Sequence, residues 1–130
     1  MLQYEIADCL TRIRNAYLRR HASTKVRKTK FNVSVLKVLQ EQGSIKSFED
    51  GKDDDKYFVI VHLAYVNNRP SMKSAKISSR PGLRVYHGVS DIPRFKSGLS
   101  YGIISTSKGV MTTHQAVAAG LGGELICVIE

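Results

Sequence analysis

The strongest constraint on the fold is the apolar repeat that opens the sequence, in residues 4–20. Its apolar side chains recur three or four positions apart, at Ile6, Leu10, Ile13 and Tyr17. That spacing places them on one face of an α-helix. Because arginines occupy much of the remaining surface, the pattern predicts an amphipathic helix with a basic exposed side.

A second helix and several short strands follow. Residues 30–42 have a helical pattern, with Thr29 in the N-cap position and Gly43 at the stop. The other apolar segments are short, and they alternate or end at turns as strands do. Strands are predicted at residues 25–27, 45–48, 57–63, 74–79, 83–86, 102–104 and 124–129, and a short helix is predicted at residues 112–119.

This order of elements predicts an α+β fold with two small lobes. The N-terminal lobe, residues 1–66, has the order α-β-α-β-β. The C-terminal lobe, residues 73–130, is mainly β with one short helix. Its last strand is apolar along its length and is therefore predicted to be central in its sheet. A turn at residues 67–71 marks the boundary between the lobes.

The charge balance indicates a polyanionic partner. Twenty lysines and arginines against eleven aspartates and glutamates give a formal net charge of +9. Such an excess of positive charge favours binding to nucleic acid or to an anionic membrane surface. The membrane is disfavoured, because no apolar segment approaches the ~18 residues of a transmembrane helix and no long basic amphipathic helix carries bulky aromatic residues.

No metal, cofactor or catalytic site is predicted. The two cysteines, Cys9 and Cys127, and the four histidines lack the spacing of metal ligands. Ser105 and Lys108 match the S-x-x-K nucleophile pattern, but the partner motifs of that enzyme class are missing and 130 residues are few for its fold. We therefore expect a protein that is not an enzyme and has no small-molecule substrate.

The candidate site begins where the predicted strand 102–104 ends. Three hydroxyl side chains, Ser105, Thr106 and Ser107, are followed by Lys108 and Gly109. Hydroxyls bond to phosphate oxygens, ribose hydroxyls and base edges, lysine attracts phosphate, and glycine lets the backbone turn sharply. The stretch predicts a strand-end loop that binds a polar, anionic ligand. The same residue types also make up an ordinary solvated turn, so both interpretations stay open.

Five more residues have a chemistry that suits RNA. Arg84 and Tyr86 lie close together in a predicted strand, where they can clamp a phosphate and stack on a base, or where the tyrosine simply packs on the sheet. Thr29 and Lys30 lie at a helix start that accepts a phosphate or is an ordinary cap. Arg12 lies on the basic side of the first helix, which is either an RNA contact or a solvated face.

Five stretches of the sequence together resemble the bacterial-type family of small-subunit ribosomal protein eight. The most specific of them is Ser-Thr-Ser-Lys-Gly-Val-Met-Thr at residues 105–112. The others are residues 6–8 with 10–16, 29–31 with 38–39, 80–86, and 120–124. Their occurrence in the family's order is far more specific than any one of them alone.

The resemblance implies a structural constituent of the small ribosomal subunit with a two-lobed fold. It implies direct binding to a stem in the central domain of small-subunit rRNA, a part in assembling the platform, and contact with small-subunit ribosomal proteins five and twelve. Matched by position, the family's RNA-binding loop and its neighbours fall on Ser105, Thr106, Ser107, Lys108, Tyr86, Gly122, Gly123 and Glu124. For Glu124 we expect a shaping role, in which the carboxylate accepts hydrogen bonds and holds the loop.

The sequence also departs from the family's pattern. Where members commonly have proline and serine before the second helix, this chain has Arg27 and Lys28. Such differences suggest a divergent lineage, so the expected location is a ribosome in the bacterial cytoplasm or in an organelle, either a mitochondrion or a plastid. The alternative function is that of an RNA-binding module outside the ribosome.

Overall fold

The computed structural model describes residues 2–51, 57–80, 82–95 and 100–130. Its backbone divides into two compact units, residues 2–73 and residues 74–130. Compactness does not show that either unit folds alone, so the division into domains at 1–66 and 73–130 stays a prediction. Within the described part of the chain, no helix is long and apolar enough to cross a membrane.

The unit of residues 2–73 is built from two helices and a three-stranded sheet. Its elements are α1 (Leu2–Leu18), β1 (Ser23–Arg27), α2 (Lys30–Glu41), β2 (Ser47–Asp50) and β3 (Phe58–His62). The sheet order is β1-β3-β2, with both pairings antiparallel. The predicted order α-β-α-β-β is therefore confirmed. A small hairpin follows, formed by β4 (Tyr65–Val66) and β5 (Arg69–Pro70) around Asn67 and Asn68, which both have a positive φ.

Both helices bury the face that their sequence period predicts. On α1 the buried side chains include Ile6, Leu10, Ile13 and Tyr17, and α1 packs against β1 and α2. On α2 and the sheet they include Val35, Leu36, Leu39, Val26, Val59 and Val61. Thr29 is the N-cap of α2, as predicted, and its hydroxyl accepts a hydrogen bond of 3.0 Å from the Asn32 backbone N–H.

The hydroxyl of Tyr17 ties α1 to two other segments of this unit. It donates to the Ser44 carbonyl oxygen at 2.5 Å and accepts from the Ala64 backbone N–H at 3.1 Å. Burial raises the pKa of this phenol, while the bond from Ala64 acts in the opposite direction. One side chain therefore bonds to two backbone groups that are far apart in sequence.

We expect Tyr17→Phe to lower the free energy of unfolding by about 1–3 kcal/mol, because two hydrogen bonds of a mostly buried hydroxyl would be lost. Urea denaturation of the full chain measures the change. Tyr86→Phe is the matched control, since the Tyr86 side chain is exposed and its hydroxyl is free to bond to water. Equal stability of the two variants would contradict a structural role for the Tyr17 hydroxyl.

The unit of residues 74–130 is mainly β. Its elements are β6 (Ala75–Ile77), β7 (Tyr86–His87), a 3-10 helix (Val89–Asp91), β8 (Tyr101–Thr106), β9 (Gly109–Thr112), α3 (Thr113–Ala119) and β10 (Gly123–Ile129). The sheet order is β6-β10-β8-β9, and β7 also pairs with β10. The central position predicted for the last strand is therefore confirmed, as is the α+β fold class.

The helix α3 covers one side of this sheet and begins at a capping box. The Thr112 hydroxyl accepts from the Gln115 backbone N–H at 3.1 Å, and the Gln115 side chain accepts from the Thr112 backbone N–H at 3.0 Å. Below the helix, Ile104 packs with Ile92 and Ala116 in a buried cluster. This cluster therefore holds the end of β8 against α3.

The strand predicted at residues 83–86 is wrong over most of its length. Only Tyr86 and His87 pair in the sheet, as β7. Arg80 and Leu83 bond to each other through both backbone N–H groups, at 2.9 and 3.0 Å, and so close a tight turn. Because Leu83 has its backbone groups in that turn, its side chain is 69% exposed instead of lying on a sheet face.

Candidate nucleic-acid interface

The predicted hydroxyl loop is a tight β-hairpin, which corrects the expectation that the strand ends at residue 104. Strand β8 continues through Ser105 and Thr106, and β9 begins at Gly109. Ser105 pairs with Val110 and Thr106 pairs with Gly109, so the turn consists of Ser107 and Lys108. Gly109 has a φ of +114°, a conformation that only glycine adopts without strain.

The side chain of Thr106 holds this turn together. Its hydroxyl donates to the Gly109 carbonyl oxygen at 2.8 Å and accepts from the Lys108 backbone N–H at 3.1 Å. Ser107 and Lys108 are exposed at the tip, and the Ser107 hydroxyl has no hydrogen-bond partner among the described residues. The hydroxyls of Thr106 and Ser107 therefore differ. That of Thr106 shapes the hairpin, whereas that of Ser107 is available to a ligand.

Residues from three distant segments meet beside the hairpin. In the sheet, Glu124 of β10 lies between Tyr86 of β7 and Ser105 of β8 and pairs with both. Directly paired residues of neighbouring strands present their side chains on the same face. Tyr86 is 66% exposed on that face, while Ser105 and Glu124 are half-buried. We call Tyr86, Glu124 and Ser105 the cross-strand row.

Arg84 approaches the same row. Its guanidinium Nη1 lies 3.7 Å from the Glu124 carboxylate oxygen Oε1, and the Glu124 side chain is only 13% exposed. The positive charge of Arg84 partly offsets the negative charge of this carboxylate. Glu124 therefore repels an anionic ligand less strongly than an unpaired carboxylate would.

Two glycines make this close arrangement sterically feasible. A Cβ atom on Gly123 would lie far closer to the Ser105 carbonyl oxygen than van der Waals contact allows, and 2.9 Å from the carbonyl carbon. A Cβ atom on Gly122 would lie 2.5 Å from the His87 carbonyl oxygen. Both distances are shorter than real Cβ contacts, so β8 and β7 can approach the start of β10 only because these residues lack side chains.

The other predicted RNA contacts, Thr29, Lys30 and Arg12, belong to the unit of residues 2–73. The hydroxyl of Thr29 is used by the helix cap, and Lys30 is exposed at the first position of α2. Both line an open depression of about 570 Å³. Its lining residues are Lys28, Thr29, Lys30, Val33, Ser34 and Lys37.

Sequence reasoning missed Ser34 and Lys37 in this depression. The available signal was the helical spacing, because positions 30, 34 and 37 of α2 share one face. Lys28 is partly neutralised there, since its Nζ lies 2.8 Å from a carboxylate oxygen of Asp50. The charge of Arg12, on α1, is likewise partly neutralised, because its Nε lies 2.8 Å from a carboxylate oxygen of Asp8.

Other reactive chemistry is not evident in the described ranges. Burial raises the pKa of the Cys9 thiol to about 12, so its thiolate does not form at neutral pH and the side chain acts as a small apolar group. Among the residues that the structure describes, no group of three or more histidines, cysteines, aspartates or glutamates could hold a metal ion.

Comparison with known proteins gives a consistent set of relatives. The family model described as "Ribosomal protein S8" matches residues 4–129. "Small ribosomal subunit protein uS8c" of Gracilaria tenuistipitata var. liui is 44% identical over 99% of both chains. "Small ribosomal subunit protein uS8" of Laribacter hongkongensis and that of Nostoc punctiforme are each 44% identical over 95% of both chains.

Proposed function

The chain belongs to the ribosomal protein S8 family, and on that premise we propose that it binds a stem in the central domain of small-subunit rRNA directly and helps to assemble the platform. It is a structural protein of the small ribosomal subunit and not an enzyme. Its relatives point to a ribosome of the cytoplasm or of an organelle. Contact with small-subunit ribosomal proteins five and twelve is part of the proposal.

The observation that carries the proposal is the hairpin tip beside the cross-strand row. Ser107 and Lys108 are exposed at the tip, and Tyr86 is exposed on the sheet face beside it. A hydroxyl, an ammonium group and an aromatic ring are the groups that bind a base edge or 2′-hydroxyl, a phosphate, and a base face. Such a surface suits a distorted stem, in which base edges are accessible.

Each hairpin residue has a proposed role in binding RNA. Ser107 and Ser105 read base edges and 2′-hydroxyls, while Thr106 and Gly109 keep the turn in the shape that presents them. Lys108 contacts a phosphate. This division follows from the hydrogen bonds of Thr106 within the turn and from the exposure of Ser107 and Lys108.

The residues around the hairpin support it or add contacts. Tyr86 stacks on a base, and Arg84 holds Glu124, which keeps β10 in place against the hairpin. Gly122 and Gly123 let the strands approach.

Residues of the other unit add phosphate contacts that do not depend on sequence. Lys30 is exposed beside the α2 helix start, which Thr29 caps, and we assign it to a backbone phosphate. Arg12 lies on the exposed face of α1 and has the same assignment. Such contacts strengthen binding to any RNA and do not select the cognate stem.

Two variants separate selective contacts from general ones. We expect Ser107→Ala to weaken binding to the cognate stem about tenfold and binding to a scrambled stem much less, because a hydrogen bond to a base edge exists only with the correct partner. We expect Arg12→Ala to weaken both about equally. Filter binding of the purified full chain at one fixed salt concentration measures the four affinities.

Equal loss on both stems for Ser107→Ala would contradict the assignment of the hairpin to sequence reading. A loss for Arg12→Ala confined to the cognate stem would contradict its assignment as a general phosphate contact. Both side chains are exposed, so neither variant is expected to unfold the protein.

A further inference from the structure

A second basic depression lies on the unit of residues 2–73, where the end of α1 meets β1. It is small, about 180 Å³. Its lining residues are Arg12, Asn15, Ala16, Arg19, His21 and Thr24. We propose that this depression binds one backbone phosphate of the bound RNA, and we call its six lining residues the phosphate seat. The inference rests on the proposed RNA-binding function and deepens it, because it joins Arg12 to Asn15, Arg19 and His21 in one phosphate site.

The helix supplies most of the seat through its periodicity. Positions 12, 15 and 16 of α1 fall on one stripe, since residues three and four apart lie on the same helix face. Arg19 directly follows α1, and its backbone N–H donates to the Asn15 carbonyl oxygen at 3.1 Å, so it continues this stripe. Ala16 is buried, 4% exposed, and its short side chain leaves room between the longer ones. The arginines at 12 and 19 and the amide of Asn15 therefore stand around a floor formed by Ala16.

The chain after α1 completes the seat, and its path is unusual. Arg20 has a φ of +57°, a left-handed conformation that glycine normally supplies at a helix end. The His21 backbone N–H donates to the Ala16 carbonyl oxygen at 2.9 Å, and the Arg20 backbone N–H donates to the Tyr17 carbonyl oxygen at 3.1 Å. These bonds are those of a Schellman motif, and they bring His21 back beside Ala16.

Arg20 is fixed in this conformation by its own side chain. Its guanidinium donates to the backbone carbonyl oxygen of Asn68, in the turn of the β4–β5 hairpin. A non-glycine residue in the left-handed region costs free energy and persists where its surroundings hold it. The helix end is therefore held in the form that places His21 at the rim of the depression.

The chemistry of the lining selects an anion. Two guanidinium groups, an imidazole, an amide and a hydroxyl can all donate hydrogen bonds, and none of the six lining residues is acidic. The Nε of Arg12 is bonded to the Asp8 carboxylate at 2.8 Å, so Arg12 has its two terminal nitrogens to offer. Arginine matches the paired oxygens of a phosphate well. The volume is below the ~300 Å³ of a typical small-molecule pocket and suits a single phosphate group more than a base.

A matched pair of arginine variants tests the seat. Arg19→Ala removes a lining residue, whereas Arg14→Ala removes an exposed arginine of the same helix that does not line the depression. The affinity of the purified full chain would be measured for the cognate stem and for a scrambled stem at several salt concentrations. Urea denaturation would verify that both variants unfold at the wild-type midpoint.

We expect Arg19→Ala to weaken binding to both stems about five- to tenfold and to lower the slope of log affinity against log salt by about 0.7–0.9, as for one lost phosphate contact. We expect Arg14→Ala to change affinity less than about twofold, because exposed charges are screened within about 8 Å at physiological salt. Equal losses for the two variants, or no loss for Arg19→Ala, would overturn the seat.

The proposed function and the seat fail in different ways in this experiment. If the wild-type chain showed no preference for the cognate stem, the proposed specific binding would be wrong, yet the two arginine variants would still differ on the scrambled stem if the seat exists. If the preference were present and the arginine variants behaved alike, the seat alone would be wrong. A loss for Arg19→Ala confined to the cognate stem would also overturn it, since a backbone phosphate seat does not depend on sequence.

Discussion

Gly123→Ala is expected to destabilise the protein by about 2–3 kcal/mol and to remove most of its selective RNA binding. The added Cβ would collide with the Ser105 carbonyl group, which is backbone and cannot rotate away as a flexible side chain would. The strands β8 and β10 would have to separate at this point, at a cost typical of overpacked cores. Separation would also move Ser105 away from Glu124 in the cross-strand row. Urea denaturation and stem binding of the full chain measure the two effects.

Gly82→Ala is the matched control for this change. Apart from its chain neighbours, none of the described residues has an atom within 4 Å of a Cβ atom at Gly82, and its φ is not in the left-handed region. We expect the free energy of unfolding of this variant to stay within about 0.5 kcal/mol of wild type. If Gly123→Ala were as stable as Gly82→Ala, the close approach of β8 to the start of β10 would be wrong.

Ser107→Glu is expected to weaken binding to the cognate stem by about 100-fold or more while leaving stability unchanged. A carboxylate at the hairpin tip would face the RNA backbone, and juxtaposed like charges cost several kcal/mol at an interface. The side chain of Ser107 is exposed, and its hydroxyl bonds to none of the described residues, so the folded state loses no contact. A gel-shift titration measures the affinity, and urea denaturation measures the stability.

Ser90→Glu places the same charge on another exposed serine of this unit. Ser90 lies in the 3-10 helix that follows β7, outside the hairpin. Its net effect on charge is identical, so any general loss of attraction to RNA appears in both variants. We expect a loss below about fivefold for Ser90→Glu, because an exposed charge away from the contact is screened by salt. Comparable losses for the two variants would contradict contact between the hairpin tip and RNA.

The elements that the sequence predicts well are those whose signal is local. The apolar repeat of α1, from Ile6 to Tyr17, spans about three turns. The stripe from Val35 to Leu39 on α2 is flanked by a threonine cap and a glycine at the stop. The capping box at Thr112 is likewise readable within four residues, because the cap and Gln115 satisfy each other's backbone groups. In such cases neighbouring residues determine the structure.

The parts that were missed depend on which backbone groups bond to one another. Strand β9 has only four residues, Gly-Val-Met-Thr, and becomes a strand because Thr106 closes the turn that pairs it with β8. The segment at residues 83–86 has a strand pattern, but the bonds between Arg80 and Leu83 use its first backbone groups for a turn. Propensity cannot show which partner a backbone N–H will find.

The candidate site was predicted from the sequence in part. The chemistry of Ser105, Thr106, Ser107 and Lys108 is legible in the sequence, but their different roles follow only from the hydrogen bonds of the turn. The pairing of Glu124 with both Tyr86 and Ser105 joins segments about 20 and 40 residues apart. Only the resemblance placed these residues beside the loop, and the sheet register supplies the physical reason for it.

A single titration decides whether the chain is a specific rRNA-binding protein. Purified full-length chain would be titrated in a gel-shift assay against a short fragment of the central-domain rRNA stem and against a scrambled stem, at several salt concentrations. We expect a preference of about 10³-fold or greater for the rRNA stem at physiological salt. Equal affinity for both stems, falling steeply as salt increases, would mean that the net charge of +9 alone binds RNA and would contradict selective recognition by the hairpin.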